Sequence, residues 1–211
     1  IQQYVGEAKF FRAYSYFDLV QLYGNAIIVD HPMELTDPNM YVKQNDRSEV
    51  VDFIIKDLQE ATDLLPKAAE ITEEGRVSSE CCQAFLSRVA LYEGTWQKFR
   101  GNVECGKALL DIAVKAAEKV MNSKAYSLFA PEALGESAQK YMFILENTKC
   151  NPAGLQKSDN KEYIFVRRYD EIINPINWNI TQSSLNNAIW ITRKFANMYL
   201  CQNGLALFFR G

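Results

Sequence analysis

Glu7-Ala8-Lys9-Phe10-Phe11-Arg12-Ala13-Tyr14-Ser15-Tyr16-Phe17-Asp18-Leu19-Val20-Gln21-Leu22-Tyr23-Gly24 is the stretch on which the reading of the fold turns. Helix-forming and aromatic residues run unbroken from Glu7 to Tyr23, and Gly24 supplies a C-terminal stop signal. Polar residues recur at every third position, as Lys9, Arg12, Ser15, Asp18 and Gln21. At about 100° per residue, this spacing rotates backwards by roughly 60° at each step, so the polar groups spiral around the axis. No stationary solvated face results. The pattern predicts a helix surrounded by other helices, against the alternative of a two-sided surface helix whose tyrosine hydroxyls reach water.

The segment after Gly24 breaks the helical pattern from Asn25 to Asn45 and holds Pro32 and Pro38. A loop of this length inside a domain is often functional. Asp46-Arg47-Ser48-Glu49 then reads as a capping-box start, followed by an i, i+3, i+4 stripe of Val51, Ile54, Ile55, Leu58, Ala61 and Leu65 that Pro66 ends. Ser78 is the expected N-cap of a third helix, with Cys82, Phe85, Leu86, Val89 and Ala90 as its apolar face and Gly94 as its stop. Asn102 caps a fourth, whose predicted stripe is Cys105, Ala108, Leu109, Ile112, Ala113, Ala116, Ala117 and Val120. Its small residues let two helix axes approach closely. The first and third helices end alike, in Leu22-Tyr23-Gly24 and Leu91-Tyr92-Glu93-Gly94. The four helices therefore form two helix pairs with the weak internal repetition of a tetratricopeptide-like stack.

Past Ser123 the character changes. A helix is expected over 136–146, a polar loop over 147–160, a short strand over 161–167 and a helix over 191–200. The fold class that follows is mainly all-α: a tetratricopeptide-like scaffold with irregular, loop-rich insertions and little strand. Residues 1–123 hold the helix pairs and the long loop at 25–45; residues 124–211 continue the same domain.

The 211 residues are 48% hydrophobic and 23% charged, enough for one large core or two small ones. A net charge of −3 gives no electrostatic reason to expect nucleic acid or an anionic membrane surface. The longest apolar run near the end, Leu205 to Phe209, is far short of a membrane span. Five cysteines, Cys81, Cys82, Cys105, Cys150 and Cys201, include no C-x-x-C pair and read as ordinary buried thiols, not metal ligands. No phosphate loop, H-E-x-x-H or G-x-S-x-G is present in the sequence, and no cofactor is implied.

Gly6 to Tyr14, followed by Phe17-Asp18-Leu19 and Tyr23-Gly24, resembles the opening signature of the SusD/RagB family. Asp46-Arg47-Ser48-Glu49-Val50 with Ile54, Asp57-Leu58 and Leu65-Pro66 is similar to that family's second block. Gly75-Arg76-Val77, Ala84, Leu86, Leu91-Tyr92-Glu93-Gly94 and Trp96 resemble its third. Glu162-Tyr163-Ile164-Phe165, Met198-Tyr199-Leu200 and Asn203-Gly204-Leu205 continue the order. Ala26-Ile27-Ile28 and Gly204-Leu205-Ala206 depart from it, since the family commonly carries proline in both turns. Family members are longer, so the protein is expected to extend beyond both ends of this chain. The resemblance implies a lipid-anchored protein at the cell surface of Bacteroidetes-type bacteria, held to the outer membrane only by an N-terminal lipid outside this sequence. It further implies a non-enzyme that captures glycans, or peptides in some members, as a lid on a SusC-like TonB-dependent β-barrel transporter.

A sugar-binding surface needs flat aromatic faces for pyranose C–H groups and amides for hydroxyls. Trp178, flanked by Asn177 and Asn179, fits best, against the alternative of a Trp plugging a seam. In the long loop Asn39, Tyr41 and Lys43 are the second candidates, against a solvated loop with Tyr41 folded back. Trp96 and Trp190 read as packing residues, and His31 as a partnerless surface residue. Asp170 and Glu171 are adjacent carboxylates, and adjacency does not provide the spacing of a glycosidase pair. Glycan capture is thus weighed against a repeat-type protein-interaction scaffold and, as a third class, a glycosidase.

Overall fold

Capping chemistry decides where the helices of the computed structural model begin and end. The structure describes residues 1–73, 75–145, 147–167, 169, 190, 192–196 and 198. Helix α1 spans Gln2–Tyr23 and stops at Gly24, which takes a φ of 79° and donates its N–H to the Val20 carbonyl. Helix α2, Arg47–Leu64, starts where the Glu49 carboxylate accepts the Asp46 N–H at 3.0 Å. It stops before Pro66. Helix α3, Ser79–Phe99, is capped by the Ser78 hydroxyl, which accepts the Cys81 N–H at 3.1 Å. Helix α4, Val103–Ser123, follows directly after Asn102.

The helices stack in chain order, α1 on α2, α2 on α3 and α3 most extensively on α4. This is the expected helical, tetratricopeptide-like scaffold. Every member of the predicted α2 stripe is buried, each such aliphatic side chain contributing about 1.5–3 kcal/mol. The α1–α3 seam is aromatic: the Phe85 ring meets Phe10 and Phe17 edge-on at 5.6 Å each.

Several expectations need correction. First, α1 is not enclosed on all sides. Gly6, Phe10, Ala13, Tyr16, Phe17 and Val20 form one buried stripe, while Tyr4, Phe11, Tyr14, Leu22 and Tyr23 are exposed. Residues 6, 10, 13, 17 and 20 hold helical spacing through the spiral of polar groups, so α1 has a buried face and an open one.

Second, Gly94 does not stop α3, which continues to Phe99. A Cβ at Gly94 would lie 2.9 Å from Leu110 Cγ and 3.0 Å from the Gly106 carbonyl oxygen. Gly94 and Gly106 are the point at which α3 and α4 touch. Third, the predicted α4 stripe holds at Leu109, Ala113 and Ala116 but fails at its N-terminal end, for the same reason. Gly106 is buried and Cys105 exposed, so Cys105 is not a core thiol.

Fourth, residues 161–167 form no strand. Among the described residues no neighbouring edge pairs with them: the Lys161 carbonyl accepts from the Ser127 N–H, and the Glu162 N–H bonds the Asn160 side chain. β-propensity without a partner strand does not make a ladder. The predicted helix over 136–146 shrinks to a 3₁₀ segment, Glu132–Ser137, and one α turn, Ala138–Tyr141. These surround a second small core of Phe129, Leu134, Ala138 and Leu145.

The chain divides into two compact units, Ile1–Val166 and Arg167–Gly211. Within the second, the described helix is Arg193–Ala196, shorter than the predicted 191–200. Trp190 is exposed there, contrary to the packing role expected of it.

Candidate functional site

The loop between α1 and α2 is built outward from the scaffold. Its ends are pinned together, because the Asn45 N–H donates to the Ala26 carbonyl at 2.9 Å and the Asn45 side chain accepts the Ile28 N–H at 3.0 Å. The Asn25 side chain accepts the Arg47 N–H at the start of α2. Arg47 also ties three helices together. Its guanidinium donates to the Val20 carbonyl at the end of α1 and to the buried Glu93 carboxylate of α3, the shortest contact being 2.7 Å. It lies 4.0 Å from the centroid of Trp96, which Arg100 also covers, so Trp96 is a packing residue as expected.

Further along, α1 holds the loop by side chains. The Tyr16 hydroxyl donates to the Ile27 carbonyl and accepts the Val29 N–H at 2.7 Å. Arg12 forks onto the buried Asp57 carboxylate at 2.7 and 2.8 Å and extends its other nitrogen to the Asp30 carbonyl at 3.4 Å. This bonding to Asp57 raises the Arg12 pKa above its ordinary value. Lys9 joins the network through Glu60 at 2.7 Å, which raises the lysine and lowers the carboxylate.

Beyond Asp30 the loop holds itself. His31 places one ring nitrogen 2.7 Å from Asp30 and the other 3.0 Å from Asp37, so its reading as partnerless is wrong. The Asp37 N–H donates to the Glu34 carbonyl, and the 3₁₀ turn Pro38–Tyr41 follows. Tyr41, on this turn, is 88% exposed. The folded-back alternative for Tyr41 fails. Asn39 lies in the same turn, and Lys43 is exposed just beyond it. Trp178, Asn177 and Asn179 lie outside the described residues, as do Asp170, Glu171 and Cys201.

The arrangement offers a tyrosine face and hydroxyl to solvent on a turn whose base is bonded to the helices. Such a surface stacks on and hydrogen-bonds to polyhydroxylated ligands. Among the described residues no cluster of three or more His, Cys, Asp and Glu side chains is arranged to hold a metal ion. The positioning groups Arg12, Tyr16, His31 and Asp37 escape sequence reasoning because their partners are remote or sit across a turn. Only the buried spacing of Tyr16 on α1 hints at its role.

The same scaffold recurs in known proteins. Residues 1–91 match a SusD-like family model described as starch-binding and associating with the outer membrane. A SusD-like protein of Bacteroides ovatus is 32% identical over 92 residues, which is 44% of this chain and 16% of the relative. The solved structure of a SusD-like protein from Bacteroides fragilis is 29% identical and superposes with a TM-score of 0.58 over 79% of this chain and 27% of its own. Over residues 1–91 the chain is similar to the SusD-like family, and its helical scaffold recurs in SusD-like structures. The fold is shared as well by a SusD homologue from Bacteroides thetaiotaomicron, at 23% identity and a TM-score of 0.54 over 72% of this chain and 27% of its own. It is also shared by a protein crystallised with a xylogluco-oligosaccharide, at 22% identity and a TM-score of 0.58 over 80% and 30%. The chain thus spans a sixth to a third of the length of these SusD/RagB relatives. Among the described residues no helix is long and apolar enough to cross a membrane.

Proposed function

We propose that this protein is a cell-surface glycan-binding lipoprotein that captures an oligosaccharide and passes it to a SusC-like TonB-dependent outer-membrane transporter. The observation that carries the reading is the anchored loop at 25–45, which holds an exposed tyrosine out on a turn of the SusD/RagB scaffold. Tyr41 stacks on a sugar ring, and Asn39 and Lys43 bond hydroxyls around it. Trp178, Asn177 and Asn179 supply a second stacking and amide group to the same class of ligand. A family model described as starch-binding and a relative of this fold that was crystallised with a xylogluco-oligosaccharide support this assignment. The protein binds without catalysis, and the N-terminal lipid of the longer protein keeps it at the outer membrane.

Affinity electrophoresis and calorimetry against starch, xyloglucan and other polysaccharides test the proposal. The wild-type chain is expected to bind at least one glycan. Tyr41→Ala should weaken that binding about tenfold, in line with loss of roughly 1–1.5 kcal/mol of stacking, with stability changed by less than about 0.5 kcal/mol. Trp178→Ala should weaken it with the thermal midpoint nearly unchanged. Binding to no glycan, together with tight binding of a peptide or of a protein other than a transporter, would replace this reading with that of an interaction scaffold.

A further inference from the structure

The only histidine in the sequence stands inside the loop that presents Tyr41. Its ring is bracketed by carboxylates: Nδ1 is 2.7 Å from Asp30 Oδ1 and Nε2 is 3.0 Å from Asp37 Oδ2. Both distances are those of hydrogen bonds. An ionised carboxylate only accepts, so both contacts are satisfied together only when both ring nitrogens carry hydrogen. That species is the imidazolium. A neutral imidazole keeps one N–H and turns a lone pair towards the other carboxylate, which exchanges an attraction for a repulsion.

The surrounding charges favour the imidazolium. Asp30 flanks the ring in sequence and Asp37 faces it across the turn. From the scaffold, Arg12 of α1 reaches the Asp30 carbonyl but is itself paired with Asp57. The His31 pKa is accordingly raised, first by Asp30 and then by Asp37, and the Asp30 pKa is lowered by His31.

We propose that His31 is a pH-operated latch on the ligand-presenting loop. Protonated, it bridges Asp30 to Asp37 and closes the segment that carries the Tyr41 turn; deprotonated, it releases one of the two arms. The consequence for ligand binding rests on the reading of Tyr41 given above, whereas the latch itself does not. The direction follows from the two shifts. Since the histidine pKa is raised by folding, its contribution is full below its ordinary value of 6.5 and is lost as pH rises through the raised value. Since the Asp30 pKa is lowered, the acid limit comes where pH falls through that lowered value, below its ordinary 3.8. The loop is therefore tightest in mildly acidic solution and loosens in alkaline solution.

The solitary histidine makes the test clean, because it contributes one pair of imidazole resonances. The ring is expected to titrate above 6.5, with both nitrogens of imidazolium type at pH 6, and Asp37→Asn should bring the midpoint down. Hydrogen-exchange protection of the amides over 30–41, corrected for intrinsic rates, should fall about two- to fivefold between pH 6 and pH 8.5, the loss of roughly one exposed hydrogen bond. In His31→Gln it should be flat across that range. A ring that titrates at or below 6.5, or an equal pH dependence of protection in His31→Gln, overturns the latch. Neither readout involves a glycan, so a Tyr41→Ala variant with undiminished glycan affinity would sink the proposed binding role separately. With both in place, glycan affinity weakens two- to fivefold at pH 8.5 in the wild type and not in His31→Gln.

Discussion

Replacing Gly106 with alanine sets two physical effects against each other at a single atom. Intrinsic propensity favours alanine over glycine inside a helix by about 0.8–1 kcal/mol. Packing opposes it. A Cβ at position 106 would lie 2.8 Å from the Gly94 carbonyl oxygen and 2.9 Å from the Lys98 backbone nitrogen, both on α3. Backbone atoms do not rotate out of the way as a side chain does, so α3 and α4 must move apart along their whole contact. Overpacking of this kind costs about 1–3 kcal/mol, and rigid backbone on the far side puts this site at the upper end. The net expectation is a loss of about 2 kcal/mol. Gly94→Ala should cost less, because its closest clash is with the Leu110 side chain, which is able to shift. Urea unfolding of both variants measures the difference, read from the midpoint at unchanged slope. A Gly106→Ala protein more stable than wild type by about 1 kcal/mol would refute the reasoning. Propensity would then rule alone, and the helices would not meet at these glycines.

Two other perturbations follow from burial. Arg47→Met strips the partner from a Glu93 side chain that is only 2% exposed; removal of one member of a buried pair should cost about 3–5 kcal/mol, and adding Glu93→Gln should recover a large part of it in the same urea assay. Thiol reactivity should divide by position, since burial pushes the Cys81 thiol up to about 12 and raises Cys82 further while Cys105 lies exposed. At pH 8, mass-mapped alkylation of the native protein should label Cys105 more than about a hundredfold faster than the adjacent pair, and equal labelling would contradict the buried placement.

Local chemistry made much of the scaffold legible. The α2 stripe, the Glu49 bond at its start, the Ser78 cap and the stops at Gly24 and Pro66 each depend on residues within about four positions of one another. Side-chain periodicity and cap geometry need no information from elsewhere in the chain. The order of family-like blocks from Gly6 to Trp96 is likewise a property of the linear text, as is the long break between Asn25 and Asn45 that marks the presenting loop. Tyr41 was a candidate for the same reason. An aromatic residue in a proline-containing loop has few helical neighbours to pack against.

What remained hidden depends on contacts far apart in sequence. Gly94 reads as a helix stop in one dimension, and only its meeting with Gly106 makes it a point of close approach. That meeting also decides which side of α4 turns inward, leaving Cys105 outside. Residues 161–167 carry strand composition, yet a strand is a relation between two backbones and none among the described residues pairs with them. His31 looked solitary until the turn brought Asp37 to its far nitrogen. The sequence by itself determined where helices start, stop and turn apolar, because those free energies are summed over neighbours along the chain. The tertiary structure alone decided which face of each helix is buried, which glycine is a contact and which carboxylates share a proton-bearing ring. Those quantities depend on distances through space.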